Sequence, residues 1–233
     1  FDDPLLSTLV SQALQTNTSV VSAHAALRQA RALRDVSAAG LGPTLGGSAS
    51  AQRSQSGDNS ASNSFRAGLD ASWEIDVFGA NRSALQSSEA SAQASAATLG
   101  DVQVSVAAEV ALSYIALRAA QARLLIAQDN LASQQETLQL TQWRLQAGLV
   151  SSLESDQAIG ATEQTLAQLP ALQTSMEHSR HALAVLTGQA PASLATLLDR
   201  AAVVPHASDD LTLSIPAETL RQRPDVRSAE FQV

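Results

Sequence analysis

The rhythm of apolar and polar positions changes three times along this chain, and each change predicts a different element. Behind Asp3 and Pro4, an N-cap residue followed by proline at the first helical position, Leu5, Leu6, Leu9, Val10, Ala13 and Leu14 recur at helical spacing. A short helix is predicted there. The polar run Thr16, Asn17, Thr18 and Ser19 interrupts it and caps a second helix through about Ala38, which Gly40, Gly42 and Pro43 then stop. From Ser64 to Val77 the period drops to two. Phe65, Ala67, Leu69, Ala71, Trp73, Ile75 and Val77 alternate with Ser64, Arg66, Gly68, Asp70, Ser72, Glu74 and Asp76. Successive side chains of a strand point to opposite faces, so this strand has one apolar and one polar face. A weaker alternation from Thr44 sets Leu45, Ala49 and Ala51 against Ser48, Ser50 and Gln52, ahead of the turn-rich stretch SGDNSASN. The pair reads as a β-hairpin with a long mobile tip.

From Arg82 to Gln146 there is no Pro and one Gly, Gly100, and the pattern returns to helix. About 65 residues at about 1.5 Å each make a helix near 100 Å long, far beyond a globular domain. Its heptads explain how it survives. Val110, Leu117, Leu124, Leu131, Leu138 and Leu145 fall seven apart, with Ala120 and Ala127 between them, as in a coiled-coil seam. Gln121, Gln128, Gln135 and Gln142 run alongside at the same interval. Past AGLVSS a return helix starts near Ser152, carries Leu166, Leu169, Leu172, Met176, Leu183 and Leu186 as its stripe, and ends at TGQAP. The two make a long antiparallel hairpin, with Pro170 expected to kink or loosen the return helix. The predicted fold class is mainly α, with long antiparallel coiled-coil helices and one β-hairpin.

Composition narrows this picture. Aromatics are 3% of the 233 residues, too few to fill a thick globular core, whereas 45% hydrophobic content dominated by Ala and Leu suits closely packed helices. A net charge of -8 gives no basic footprint, so nucleic acid is not expected as a partner. There is no Cys, which removes disulfides and thiolate chemistry. No unbroken apolar run approaches the roughly 20 residues of a membrane-spanning helix, so a bilayer crossing would have to use strands. Near the end, Gln222 to Val233 aligns with Thr16 to Leu27 through Val226/Val20, Ser228/Ser22 and Ala229/Ala23, with Leu220 on Leu14. The order of elements supports an internal repeat, one unit followed by the start of a second.

Five segments, FDDPLLSTLVSQAL, SWEIDVFGANRS, LQAGLVSSLESDQA, LAVLTGQAP and IPAETLRQRPDVRSAE, together resemble the TolC-like outer membrane factors, in particular the OprM and NodT branch. The resemblance runs over essentially the whole chain. It implies a homotrimeric channel in the cell outer membrane, extending into the periplasm, with each subunit giving four strands to a shared barrel and long helices to an α-helical barrel. On that reading, residues 1–42 and 80–188 form the periplasmic helical domain, and 43–79 the hairpin of the outer-membrane barrel. Residues 189–215 form an equatorial connection and 216–233 begin a truncated second repeat. The branch's usual signal peptide, lipidated Cys and opening segment do not appear among these residues. The Asp and Arg residues that constrict the closed tunnel belong to the family's second repeat.

The alternating strand then acquires a role. As a tilted barrel strand it would turn Phe65, Leu69, Trp73 and Ile75 to outer-membrane lipid, with Trp73 in the aromatic belt, and Arg66, Asp70 and Glu74 to the lumen. Two readings of the acidic positions stand side by side: a cation-attracting lumen, or solvation of a polar face. The resemblance also makes the turn RLQAGLVSS the contact for a periplasmic adaptor (membrane fusion) protein carrying an inner-membrane pump. That points to Arg144, Leu145, Gly148, Leu149, Val150 and Ser151; plain turn chemistry accounts for the same residue types.

Catalytic readings are weaker. His178 and His181 share a helix face beside Glu177 but lack an evident third metal ligand, and Glu154 with Asp156 sits where carboxylates complement a helix dipole. No phosphate-binding loop or nucleophile elbow occurs, so no enzyme activity and no cofactor is expected. The expected function is a passive exit duct for small molecules in a tripartite efflux system. The rivals are a structural or adhesive coiled-coil protein and a metal-dependent enzyme built on the two His.

Overall fold

A computed structural model describes residues 3–55, 57, 61–199, 203–205 and 221–232. The elements, in order, are α1 (Pro4–Thr16), α2 (Thr18–Ala39), β1 (Thr44–Ser54), β2 (Ser62–Ser72), α3 (Ala80–Gln146), α4 (Ser152–Leu186), α5 (Pro191–Leu198) and α6 (Pro224–Glu230). They fall into two compact units, Phe1–Ser22 with Val102–Ile215, and Ala23–Asp101 with Pro216–Val233. The tip of the β-hairpin around residues 58–60, and residues 206–220, which take in the end of the predicted connection and the start of the predicted second repeat, lie outside the described residues.

In the first unit, two helical stripes bury each other. The non-exposed positions of α3 beyond Val110 are dominated by Ser113, Leu117, Ala120, Leu124, Ala127, Leu131, Gln134, Leu138, Thr141 and Leu145, alternating steps of three and four. On α4 the corresponding set is Ser155, Ala158, Thr162, Thr165, Leu169, Leu172, Met176, Ser179, Leu183 and Leu186, also a heptad pattern. The expected α4 stripe needs one correction. Leu166 is 44% exposed and lies off the seam, because the heptad runs through Thr162, Thr165 and Leu169 instead. Small residues, Ser155, Ala158, Thr162 and Thr165, fill the α4 stripe toward the turn, where the α3 stripe is rich in Leu, and Leu183 and Leu186 take over toward the other end. Pro170 does not end α4; it sits on the exposed side, where the carbonyl one turn back, left without its backbone donor, is open to solvent.

Polar side chains tie the ends of this unit together. The Asp3 carboxylate caps α1 by accepting from the amides of Leu5 (2.9 Å) and Leu6 (3.1 Å), and its other oxygen accepts from the buried Tyr114 hydroxyl at 2.7 Å. Burial alone would raise the Asp3 pKa. The Tyr114 hydrogen bond, the two amides and the nearby Arg118 charge outweigh it and hold the carboxyl below the ordinary range. Arg118, almost fully buried, lies 4.9 Å from the centre of the Tyr114 ring and donates to Gln121 Oε1 at 2.8 Å. Gln121 Nε2 in turn donates to the Leu198 carbonyl at 2.6 Å, which seats the end of α5. At the junction of α1 and α2, Asn17 accepts from Ser19 N and donates to Leu186 O, while Thr16 Oγ1 donates to Thr187 O at 2.6 Å.

The second unit holds the rest of α2, the β-hairpin, the start of α3 and α6. The stripe of α2 is Ala23, Leu27, Ala30, Arg34 and Ser37, and that of α3 is Asn81, Leu85, Ser88, Ala92, Ser95 and Leu99. Ser37 and Ser88 hydroxyls meet at 2.8 Å. In α6, Ser228 pairs with Thr98 at 3.0 Å, and the helix starts at Pro224, the position that aligns with the first residue of α2. Further along α3, in the first unit, the buried or half-buried Val102, Val106 and Val110 form two successive steps of four, a stutter in the heptad pattern. One stretch of α3 is also apolar enough on average, by length and composition, for a membrane span, although no unbroken apolar run is that long. Its many alanines raise the mean without making a continuous apolar surface.

Candidate functional site

The turn between the long helices is built by backbone hydrogen bonds. At its centre Gly148 has φ +73, its N–H donates to Leu145 O at 2.9 Å, and the Leu149 N–H donates to Arg144 O at 2.8 Å. This is a Schellman ending, which requires the left-handed conformation that glycine adopts without strain. Ser151 is the N-cap of α4, but its side chain makes no capping bond to the helix backbone and approaches Glu154 Oε1 at 3.5 Å. Of the six expected tip residues, Leu145 and Val150 are half-buried, Arg144, Gly148 and Ser151 are exposed, and Leu149 is 74% exposed.

Sequence reasoning missed part of this surface. Leu140, Trp143 and Leu153 lie within two turns of Gly148 and are all more than half exposed, so the tip carries an apolar surface larger than the turn. The signal was available: each falls off the heptad seam in an otherwise polar face.

β1 and β2 pair antiparallel, with Leu45↔Ala71, Gly47↔Leu69, Ala49↔Ala67 and Ala51↔Phe65 on one face. The other face carries Gly46↔Asp70, Ser48↔Gly68, Ser50↔Arg66 and Gln52↔Ser64. Phe65 and Leu69 therefore share the apolar face, and Arg66 and Asp70 the polar one. β2 ends at Ser72, so Trp73, Glu74 and Ile75 follow the strand rather than belong to it. The reason is pairing: Ser72 already faces Thr44, the first residue of β1, and their hydroxyls close the ladder at 2.8 Å. Trp73 is nonetheless fixed, its indole N–H donating to Leu41 O at 3.0 Å. The Asp70 carboxylate lies across Gly46, where any Cβ would come within 2.6 Å of it. All strand residues are exposed apart from half-buried Gly46.

The corner into α3 is locked by Asp76. Its carboxylate accepts from the Arg82 amide at 2.9 Å and from the Arg82 guanidinium at 3.4 Å. His178 and His181 are exposed and line a groove of about 550 Å³ with Glu109, Leu112 and Val185. Among the described residues no three His, Cys, Asp or Glu side chains come together as a metal site.

This order of elements, a two-faced and largely exposed strand pair between α2 and α3 followed by two long helices joined by a tight turn, is what the chain shares with solved outer-membrane channels. The family described as outer membrane efflux protein matches residues 9–189, and the chain belongs to that family. It is 30% identical over 239 residues to nodulation protein T of Rhizobium leguminosarum bv. trifolii, covering 99% of this chain and 50% of that protein. It is likewise 30% identical over 248 residues to the pyoverdine export outer membrane protein OpmQ of Pseudomonas aeruginosa, covering 100% of this chain and 51% of that protein. Among solved structures, the outer-membrane channel OprN superposes with a TM-score of 0.87 at 39% identity, over 99% of this chain and 53% of that one. The chain thus spans about half the length of the curated relatives it matches.

Proposed function

We propose that this chain is the first half of an outer-membrane channel subunit, a passive exit duct for small molecules across the periplasm and outer membrane. An inner-membrane pump supplies the energy, and the duct itself does no chemistry. The observation that carries the reading is the hairpin. Four cross-strand pairs make one continuous apolar face, the opposite face is hydroxyl-rich with Arg66 and Asp70, and the residues of both strands are open to their surroundings. A water-soluble sheet buries its apolar face, whereas a barrel strand turns it to lipid and its polar face to a water-filled lumen.

In this reading residues 43–79 sit in the barrel, and 1–42 with 80–188 form periplasmic helices. Residues 189–215 connect them to a second repeat that begins at 216–233, and two repeats in each of three subunits close the barrel. Glu74 and Ile75 belong to the rim below the strands, with Trp73 at the interface. The tip formed by Arg144, Leu145, Gly148, Leu149, Val150 and Ser151 contacts the adaptor protein, and exposed Leu140, Trp143 and Leu153 widen that contact.

Replacing Gly148 by Asp in the full-length subunit tests this assignment. Expressed in cells lacking the native channel, the variant should fail to restore efflux while cross-linking still shows a trimer, because it strains the turn and places a charge at the contact. Full drug or solvent tolerance in those cells would remove the tip from the adaptor interface.

A further inference from the structure

We propose that Arg53, with Asn63 opposite it, is a binding site for the phosphate groups of outer-leaflet lipids. The inference rests on the barrel reading above. The strand register places Arg53↔Asn63 on the same face as Ala51↔Phe65 and the three apolar pairs before it. That face is apolar for four consecutive levels and turns polar at the fifth. Arg53 is its one charged side chain, is exposed, and its guanidinium makes no hydrogen bond or ion pair with any described residue.

The opposite boundary of the same band is marked by Trp73, anchored on Leu41 O. Asn63 and Trp73 are ten residues apart, about 34 Å at about 3.4 Å per residue, or about 25 Å along the normal for a strand tilted near 45°. That is the height of the apolar band of an outer-membrane barrel. Because α2 enters and α3 leaves at the Trp73 end, the Arg53 end is the one farther from the helices, at the outer leaflet.

An arginine at this level lays its stem along apolar surface and presents its head to the headgroup layer. The planar fork of N–H donors then matches phosphate oxygens in a two-point, charge-assisted hydrogen bond, and the Asn63 amide adds a neutral donor at the same height. Arg66, by contrast, lies on the other face, among the hydroxyl-rich positions that the barrel reading turns to the lumen, so it does not reach the lipid.

The test is native mass spectrometry of the full-length channel in detergent, titrated with lipid A (phosphomonoesters), phosphatidylglycerol (a phosphodiester), phosphatidylcholine and sodium phosphate. Lipid A and phosphatidylglycerol should bind in preference to phosphatidylcholine. Arg53→Gln should weaken lipid A about fivefold, as expected for one basic residue at an anionic surface. Arg53→Lys should restore part of that, and Arg28→Gln, the same charge removed from exposed α2, should change nothing; the trimer peak reports folding in each variant. Equal lipid A binding by Arg53→Gln, or an equal loss with Arg28→Gln, would overturn the site. Displacement of lipid A by sodium phosphate alone would overturn the assignment to lipid in favour of a free-anion site. Failure of the unaltered channel to insert into phosphatidylcholine bilayers would instead overturn the barrel reading, and this site with it.

Discussion

Gly148 has open space where a Cβ would stand, so a side chain there meets a backbone penalty and no clash. Gly148→Ala should therefore lower stability by about 1 kcal/mol through the left-handed backbone alone, read as a small drop in the thermal midpoint with helical content unchanged. A larger loss would mean that the tip packs against something this geometry does not contain. Asp3 makes a different kind of prediction, because its carboxylate is held below its ordinary pKa by Tyr114 and two amides. A carboxyl with a depressed folded pKa contributes stability above its unfolded pKa of about 3.9 and loses it as pH falls through the lower folded value. The stability difference between the unaltered chain and Asp3→Asn should thus be full at neutral pH and close in acid below about pH 4. Circular-dichroism melts across that range check it, and a difference constant down to pH 2 would deny the carboxylate its role.

The helices lend themselves to a graded test, because the seam is deep at one end and shallow toward the tip. Leu117 is 1% exposed, Leu131 is half-buried and Leu166 lies off the seam. Leu117→Ala should destabilise by about 2–5 kcal/mol, Leu131→Ala by about 1 kcal/mol, and Leu166→Ala by no more than about 0.5 kcal/mol. Chemical denaturation of the three variants reads the order directly. If Leu166→Ala matched Leu117→Ala, the heptad through Thr162, Thr165 and Leu169 would be the wrong seam.

The molecule as a whole leaves much apolar surface open: Leu45, Phe65 and Leu69 on the hairpin, Leu112 and Leu125 on α3, and Val185 on α4 are all exposed. Patches of that extent mark surfaces meant for lipid or for other chains, and the two outer edges of a two-stranded sheet offer unpaired backbone groups. The 233-residue chain should therefore self-associate at micromolar concentration in detergent-free buffer, and detergent should reverse this. Sedimentation velocity decides it: a monomer with an ordered hairpin in the absence of detergent would show that the apolar face needs no partner.

Most of the elements were legible in the sequence, because their causes are local. Asp3 before Pro4 dictates the start of α1, period-two alternation dictates the strand face of Phe65 and Leu69, and glycine at position 148 dictates the turn; none depends on distant residues. Trp73 and Ile75 show where local pattern fails. Their alternation is as regular as that of Phe65, yet a strand extends only as far as its partner, and Thr44 begins β1 opposite Ser72. Leu166 fails for a related reason, since several heptad registers fit a Leu-rich helix, and the facing helix selected the one that buries Ser155 and Thr162. Likewise, the exposed apolar tip residues and the Arg53 guanidinium, unpaired among the described residues, became visible only after pairing had fixed which side chains were already taken. The sequence by itself determined helices, strand faces and caps, which short-range sterics and hydrogen bonds govern. Register, seam choice and unpartnered surface were decided by the tertiary structure, because each is a relation between segments far apart in the chain.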